Sequence, residues 1–366
     1  MRLKKGPPDF ILFITSLTLL GIGLIMVFSS SAVTANVNYG DAYYFFKKQL
    51  MWAIISVIAL VIVMKLNFFK LKDLAIPLML IAVVCLILVV TPLGVDVQGS
   101  SRWFAIGPMR FSPSELAKVA IVMFLARAME IKLAKISSFT KGVLPFLAML
   151  AIISGLIMMQ PDLGTAFTIA GTVLLMLMIA GAKWTHMGLI TLTGAVAVTA
   201  AIVLEPYRLE RVTAFINPWK YASDEGFQTI QSLYALGSGG LFGMGLGRSR
   251  QKFFYLPEQH TDFIFAILGE ELGFLGAGLV VVLFLLFAWR GFKIAINAPD
   301  NFSRLLAAGL TIIITFQAAI NIAVVSGALP VTGITLPFIS YGGTSLLFTM
   351  IMVGLLLNIS RYSSQE

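Results

Sequence analysis

Long apolar runs separated by short polar connections dominate this chain. Stretches of ~20 residues, the length that crosses a bilayer, recur at about 10–32, 46–64, 74–91, 113–130, 143–160, 163–181, 185–204, 262–289, 304–327 and 339–359. The hydrocarbon core offers backbone groups no water, so each run must satisfy its hydrogen bonds internally as a helix. The expected fold class is all-α. Residues 1–366 form one polytopic integral membrane domain with about ten transmembrane helices and one long loop at about 205–261. The first run follows Arg2, Lys4 and Lys5 as a signal peptide would, but it exceeds the ~7–15 residues of a signal core and reads as a retained anchor.

Composition sharpens the picture. The chain is 58% hydrophobic and 12% charged, against about 25% charged for soluble domains, which excludes a soluble globular protein. The one cysteine, Cys85, and two histidines, His186 and His260, exclude a disulfide framework and a Cys/His zinc cluster. The net charge of +9 does not point to a nucleic-acid partner, because Lys and Arg stand singly or in small groups between apolar runs.

That scatter sets the orientation. Arg2, Lys4, Lys5, Lys65, Lys70, Lys72, Arg127, Lys132, Lys135, Lys141, Lys183, Arg290, Lys293, Arg304 and Arg361 fall in one set of alternate connections. Only Lys47, Lys48, Arg102 and Arg110 fall in the short loops of the other set. The positive-inside rule then places both termini in the cytoplasm. The polar chemistry lies on the other side, in residues 96–111 (DVQGSSRWFAIGPMRF), Gln160–Thr165 (QPDLGT), 205–261 and Leu329–Ser345 (LPVTGITLPFISYGGTS). A long loop between compact elements is more often functional than idle.

The long loop holds Tyr207–Arg211 (YRLER) and Asn217–Lys220 (NPWK), a segment near Phe227–Leu236 with the pattern of a short amphipathic helix, and the glycine stretch Gly237–Gly247. Arg248, Arg250 and Lys252 follow at once. The stretch is either a hinge or a backbone cradle for a diphosphate; it lacks the strand-turn-helix context of a dinucleotide fingerprint. Next, Glu258, His260, Thr261 and Asp262 crowd into five residues at the mouth of the eighth run. Thr261 or Asp262 could simply cap that helix, but such crowding at a membrane interface favours chemistry.

Ser112-Pro113-Ser114-Glu115 has the spacing of a capping box with proline at the first helical position. Capping does not account for Lys118, three residues on and on the same face, where an unpaired charge costs at least ~2.5 kcal/mol. A Glu115–Lys118 pair beside a polar cavity accounts for both. Glu270 and Glu271 lie deep in the eighth run. At ~100° per residue they cannot both face one cavity, so one is expected to be a protonated structural carboxyl.

Together these motifs carry a resemblance. GSSRW followed by SPSELAK, then QPDLGTA, YLPEQHTDFIFAILGEELG and LPVTGITLPFISYGGTS resemble the SEDS family (shape, elongation, division and sporulation), whose members include FtsW, RodA and SpoVE. The likeness spans essentially the whole chain, and the motif wording is closer to FtsW and SpoVE. It implies a peptidoglycan glycosyltransferase that polymerises lipid II at the outer face of the bacterial cytoplasmic membrane, for division or sporulation. It also implies a class B penicillin-binding transpeptidase as partner, among other division or sporulation membrane proteins.

The resemblance assigns Asp262 the role of the family's essential aspartate, and it matches Glu115, Lys118, Arg102 and Trp103 to family positions. Transfer from a lipid diphosphate needs cations at the leaving group and a base at the acceptor hydroxyl. Asp262 is then the base, Arg102, Lys118, Arg208, Arg211 and Lys252 are diphosphate candidates, and Glu258, His260 and Ser340 complete the expected substrate contacts. No cofactor is required; a divalent cation, Mg or Mn, could share the phosphate charge with Asp262 or Glu258, though no full coordination set is visible. Two competing readings are a flippase for the lipid-linked precursor, kept open by Lys118, Glu270 and Glu271, and a structural scaffold for division enzymes.

Overall fold

The structure, a computed structural model, describes residues 5–97, 100–107, 109–253 and 255–362. Arg2, Lys4, Gln98, Gly99 and Pro108, used above, lie outside the described residues. All ten apolar runs are helical. They are α1 (Phe10–Tyr39), α2 (Tyr44–Lys65), α3 (Phe68–Val89), α4 (Pro113–Lys132), α5 (Leu144–Met158), α6 (Leu163–Ile179) and α7 (Trp184–Val203), then, after α8 (Pro206–Ile216) and α9 (Phe227–Gly239) in the long connection, α10 (Ile264–Ile296), α11 (Asn301–Val325) and α12 (Gly343–Ser360). Eight of these, α5 together with the π-helical turn Phe139–Val143 that leads into it, are long and apolar enough to cross a membrane. Of the other two expected spans, α6 has 17 residues and α4 carries Glu115, Lys118, Arg127, Glu130 and Lys132.

Helix starts follow local chemistry. Asp9 caps α1 by accepting from the Leu12 amide at 2.9 Å, and Asp300 caps α11 through the Ser303 amide at 2.8 Å. The centre of the bundle is α11 and α12, with 72% and 78% of their apolar windows buried, whereas α7 at 11% stands at the periphery. Helices α4, α6, α10 and α12 pack around α11, and α2 lies along α12.

Three features depart from the sequence expectations. The connection before α4 forms a small antiparallel sheet, β1 (Val95–Val97), β2 (Ser100–Ile106) and β3 (Met109–Phe111), in the order β1-β2-β3. The capping box does not close. Ser112 occupies the N-cap of α4 without a side-chain bond to the helix; its hydroxyl pairs with Ser114 at 2.8 Å while Glu115 turns to Lys118.

The third departure is in α10, which breaks at Gly273 (φ 69°, ψ −169°), a left-handed conformation that glycine alone adopts at no steric cost. The glycine stretch fills the break. The amides of Met244 and Gly245 donate to the carbonyls of Glu270 and Glu271, at 3.0 Å each. The amides of Phe274 and Leu275 donate to the carbonyls of Gly240 and Leu241, at 2.8 and 3.1 Å. Both broken helix ends thus recover their hydrogen bonds from one segment, as an interrupted helix at membrane depth requires. A Cβ on Gly243 or Gly273 would run into the opposing backbone. The stretch is a splice rather than a hinge, and at least two of its amides are spent on α10 instead of a phosphate.

The same splice revises the reading of Glu270 and Glu271. Residues 249–252 fold over the N-terminal half of α10, so both carboxyls reach them. Glu270 accepts from the Ser249 hydroxyl and, at 2.9 Å, from the Arg250 amide. Glu271 accepts from Lys252 Nζ at 3.0 Å and from Ser29 Oγ of α1 at 2.6 Å. Neither is isolated, because the loop rather than the helix face determines what each one meets.

Candidate active site at the mouth of α10

The chain entering α10 is held by its carbonyls. Three consecutive ones are taken: His260 O by the Tyr341 amide at 2.9 Å, Thr261 O by Ser340 Oγ at 2.6 Å, and Asp262 O by Asn321 Nδ2 of α11 at 2.8 Å. Ser340 Oγ also accepts from the Leu336 amide at 2.8 Å. Gln49 of α2 braces the same stretch, donating to Ser340 O and accepting from the Gly342 amide, both at 3.2 Å. The irregular chain from residue 334 to 342 therefore forms a platform under Asp262.

The Asp262 carboxyl faces a turn of that platform. A Cβ placed on Gly333 (φ 73°) would lie 3.5 Å from Asp262 Oδ2, and Gly164 at the start of α6 packs against Thr332 and Ile334. No hydrogen bond reaches the Asp262 carboxyl from the described residues. Burial pushes it up to about 7, with the negative charges of Glu258 and Asp162 adding to the shift and Arg102 and Arg211 opposing it. His260 is pushed the other way by burial, its ring lying 4.5 Å from Phe45 and 5.5 Å from Tyr341. Burial raises the Tyr341 phenol to about 12.

Cations converge from separate elements. Arg102 of β2 donates to the carbonyls of Gln160 and Pro161 at 2.9 and 2.6 Å, which fixes it at the start of α6. There Asp162 caps the helix by accepting from the Thr165 amide at 3.0 Å and the Thr165 hydroxyl at 2.8 Å. Arg211 reaches over from α8 and stands 3.6 Å from Glu225. Lys118, 2% exposed, lies 2.8 Å from Glu115 and donates to Gln317 Oε1 of α11 at 2.7 Å. Gln317 in turn donates to Thr335 O at 2.9 Å, so the pair abuts the same platform. The arrangement offers a bare carboxyl of near-neutral basicity beside guanidinium groups, which suits proton abstraction next to a developing anion.

The chain matches the family model described as cell cycle protein, covering FtsW, RodA and SpoVE, over residues 10–365. The chain belongs to this family. It is 47% identical to the stage V sporulation protein E of Bacillus subtilis (strain 168) over 99% of this chain and 100% of that one. It is 41% identical to the Geobacter sp. (strain M18) protein named "Probable peptidoglycan glycosyltransferase FtsW", over 98% of each. Among solved structures it resembles a chain of a peptidoglycan synthase complex at TM-score 0.81 and 30% identity, covering 98% of this chain and 99% of that one. It also resembles the rod shape determining protein RodA of Thermus thermophilus at TM-score 0.73 and 27% identity, over 98% of each. Like these family members it is a multi-pass membrane protein.

Within this FtsW/RodA/SpoVE framework, the fold brings together Asp262, Glu258, Arg102 and Arg211 as electrostatic neighbours. It sets Glu115 and Lys118 against the shared platform. Trp103 sits half-buried on β2, and Glu258 is exposed, accepting from the Thr261 hydroxyl at 2.7 Å. Three residues expected at substrate are engaged otherwise. Lys252 is buried against Glu271; Arg208 donates to Ala201 O of α7 at 2.9 Å and to the Tyr207 hydroxyl; Ser340 holds backbone on both sides. A basic loop residue reads as free from sequence, but this loop folds back onto the helices it joins. Asp162, not singled out beforehand, is the addition. Its signal was a lone carboxylate between apolar runs in QPDLGT.

Proposed function

We infer that this chain is a peptidoglycan glycosyltransferase that polymerises lipid II at the outer face of the cytoplasmic membrane. The observation that carries the reading is the Asp262 carboxyl, pushed up to about 7 and flanked electrostatically by Arg102 and Arg211, in a chain whose relatives bear that enzyme name. Ionised Asp262 takes the proton from the acceptor sugar hydroxyl as its oxygen bonds to the anomeric carbon of the donor. The bond from that carbon to the diphosphate oxygen breaks, and the lipid diphosphate leaves with the electron pair. Attack opposite the leaving group inverts the anomeric centre. Arg102 and Arg211 stabilise the departing charge, and Lys118, held by Glu115 and Gln317, adds a fixed buried positive charge against the platform under Asp262.

The scatter of Lys and Arg supports a topology with both termini in the cytoplasm and the Asp262 mouth outside. A class B transpeptidase is the partner this reading calls for, with a role in division or sporulation. Among the described residues no group of three or more His, Cys, Asp or Glu is placed to hold a metal ion, and the mechanism is derived without one. The deep charges that would favour lipid flipping are taken up locally: Lys118 with Glu115 and Gln317, Glu271 with Lys252, and Glu270 with residues 249–250.

The test is polymerisation in detergent, where no two leaflets exist to connect. Purified protein with labelled lipid II and a transpeptidase lacking its catalytic serine is expected to give gel-resolved glycan that disappears with Asp262→Asn. Absence of Asp262-dependent polymer, together with lipid II movement across sealed vesicles, would replace this reading by flipping.

A further inference from the structure

Two neutral amides on α11 connect the two halves of the candidate site. Gln317 and Asn321 are one helical turn apart and therefore project from one face; they are 4% and 1% exposed. Asn321 Nδ2 donates to Asp262 O at 2.8 Å and to Ile334 O at 2.6 Å. Gln317 accepts from Lys118 at 2.7 Å and donates to Thr335 O at 2.9 Å. The carbonyls of Ile334 and Thr335 are adjacent, so an unbroken chain of contacts runs from Glu115 and Lys118 through Gln317, residues 334–335 and Asn321 to Asp262. None of these amide contacts is to a reacting group of Asp262; they act on backbone and on the ammonium.

We propose that Gln317 and Asn321 are positioning residues for glycosyl transfer, setting the placement of Lys118 relative to Asp262 through the shared 334–335 segment. The proposal rests on the glycosyltransferase reading. Holding the two catalytic elements against one helix is what a reaction sensitive to sub-ångström placement requires, since a displacement of ~1 Å can cost ~10²-fold. A simpler role, satisfying an irregular segment buried in the bundle, predicts loss of folded protein only. The positioning role predicts loss of turnover in protein that is folded.

The experiment uses full-length protein in detergent, lipid II as substrate and a serine-inactivated class B transpeptidase. It compares wild type, Gln317→Met, Gln317→Glu, Asn321→Leu and Asn321→Asp. Gln317→Met and Asn321→Leu are expected to lower kcat by ~10²-fold per folded molecule while KM for lipid II stays within about twofold. Gln317→Glu keeps the acceptor for Lys118 but loses the donor to Thr335, so its kcat should fall between Gln317→Met and wild type. Asn321→Asp, whose buried carboxyl faces two carbonyls and is held protonated, keeps one donor to the Asp262 and Ile334 carbonyls, so its kcat should fall between Asn321→Leu and wild type. Unchanged kcat per folded molecule, a rise in KM alone, or an Asn321→Asp variant no better than Asn321→Leu would overturn the proposal.

Failure of the underlying reading is separable. If wild type itself makes no Asp262-dependent polymer, that reading falls, and the positioning claim is judged by hydrogen exchange. Faster exchange in 258–263 of Gln317→Met, whose contacts are with Lys118 and Thr335 rather than with that segment, supports it, and unchanged exchange there overturns it.

Discussion

The basicity of Asp262 makes a sharp prediction for the pH dependence of polymerisation. Its carboxyl is raised to about 7, first by burial and then by Glu258 and Asp162, against the pull of Arg102 and Arg211. A general base acts only when ionised, so kcat/KM, which reports the free enzyme, should rise with pH through about 7. It should fall to about a tenth of its plateau one unit below the midpoint. An aspartate at the ordinary 3.8 would be almost wholly ionised throughout that range and give a flat profile. The charges around it fix the direction of each shift. Asp162→Asn removes a negative neighbour, lowers the Asp262 pKa and moves the rising limb to lower pH. Arg102→Gln or Arg211→Gln removes a positive neighbour and moves it to higher pH. The assay is initial-rate polymerisation of labelled lipid II between pH 5.5 and 8.5 with constant ionic strength and detergent. A flat wild-type profile, or Asp162→Asn and Arg211→Gln limbs that move the same way, would refute the reasoning.

Further predictions follow from the buried contacts. Lys252→Met or Glu271→Gln alone leaves one partner of a buried pair uncompensated and should cost ~3–5 kcal/mol, whereas the double change should recover part of that loss in thermal unfolding followed by size-exclusion chromatography. Glu115→Ala and Lys118→Ala should each lower polymerisation, and the double variant should lose less than the product of the two effects; strict additivity would mean that the pair is not coupled. Gly273→Ala puts a Cβ into the Leu241 and Gly243 backbone at a positive φ and should cost more than ~1–2 kcal/mol, read as a lowered unfolding temperature. An unchanged melt would argue against the splice.

What was legible in the sequence was whatever a bilayer makes expensive. Ten apolar runs announce ten helices, and Lys118 three residues after Glu115 announces a pair, because an isolated ammonium among Ala, Val and Ile has few alternatives. Asp262, the base we propose, stands out in the sequence through its crowded neighbourhood and the motif around it. Gln317 and Asn321 were not, since a neutral amide in an apolar helix costs little enough to pass as an ordinary interruption; only their i, i+4 spacing hinted at a shared face. The break at Gly273 escaped for a different reason. Its hydrogen bonds come from residues about 30 positions earlier, and helical periodicity carries no information about partners at that separation. The same non-local fold turns Lys252, a basic loop residue that reads as free from sequence, into the partner of Glu271.

The way Asp262 is held fits the role of base at neutral pH that we propose for it. Hydrogen bonds donated to a carboxylate lower its pKa, and two or three of them can bring it below the range where it would accept a proton from a hydroxyl at useful rate. Here the neighbouring donors are directed elsewhere: Asn321, Ser340 and the Tyr341 amide all bond the backbone carbonyls of residues 260–262. The chain is fixed while the carboxyl is left bare toward the Gly333 turn. Fixing it with cations instead would have immobilised it equally well but lowered its basicity, and Arg102 and Arg211 already pull in that direction. Neutral amides and a hydroxyl thus separate two demands that a salt bridge would set against each other, rigid placement of the base and retention of its affinity for a proton. Turning Asn321 into a donor to the carboxyl itself would keep the placement and lose the base.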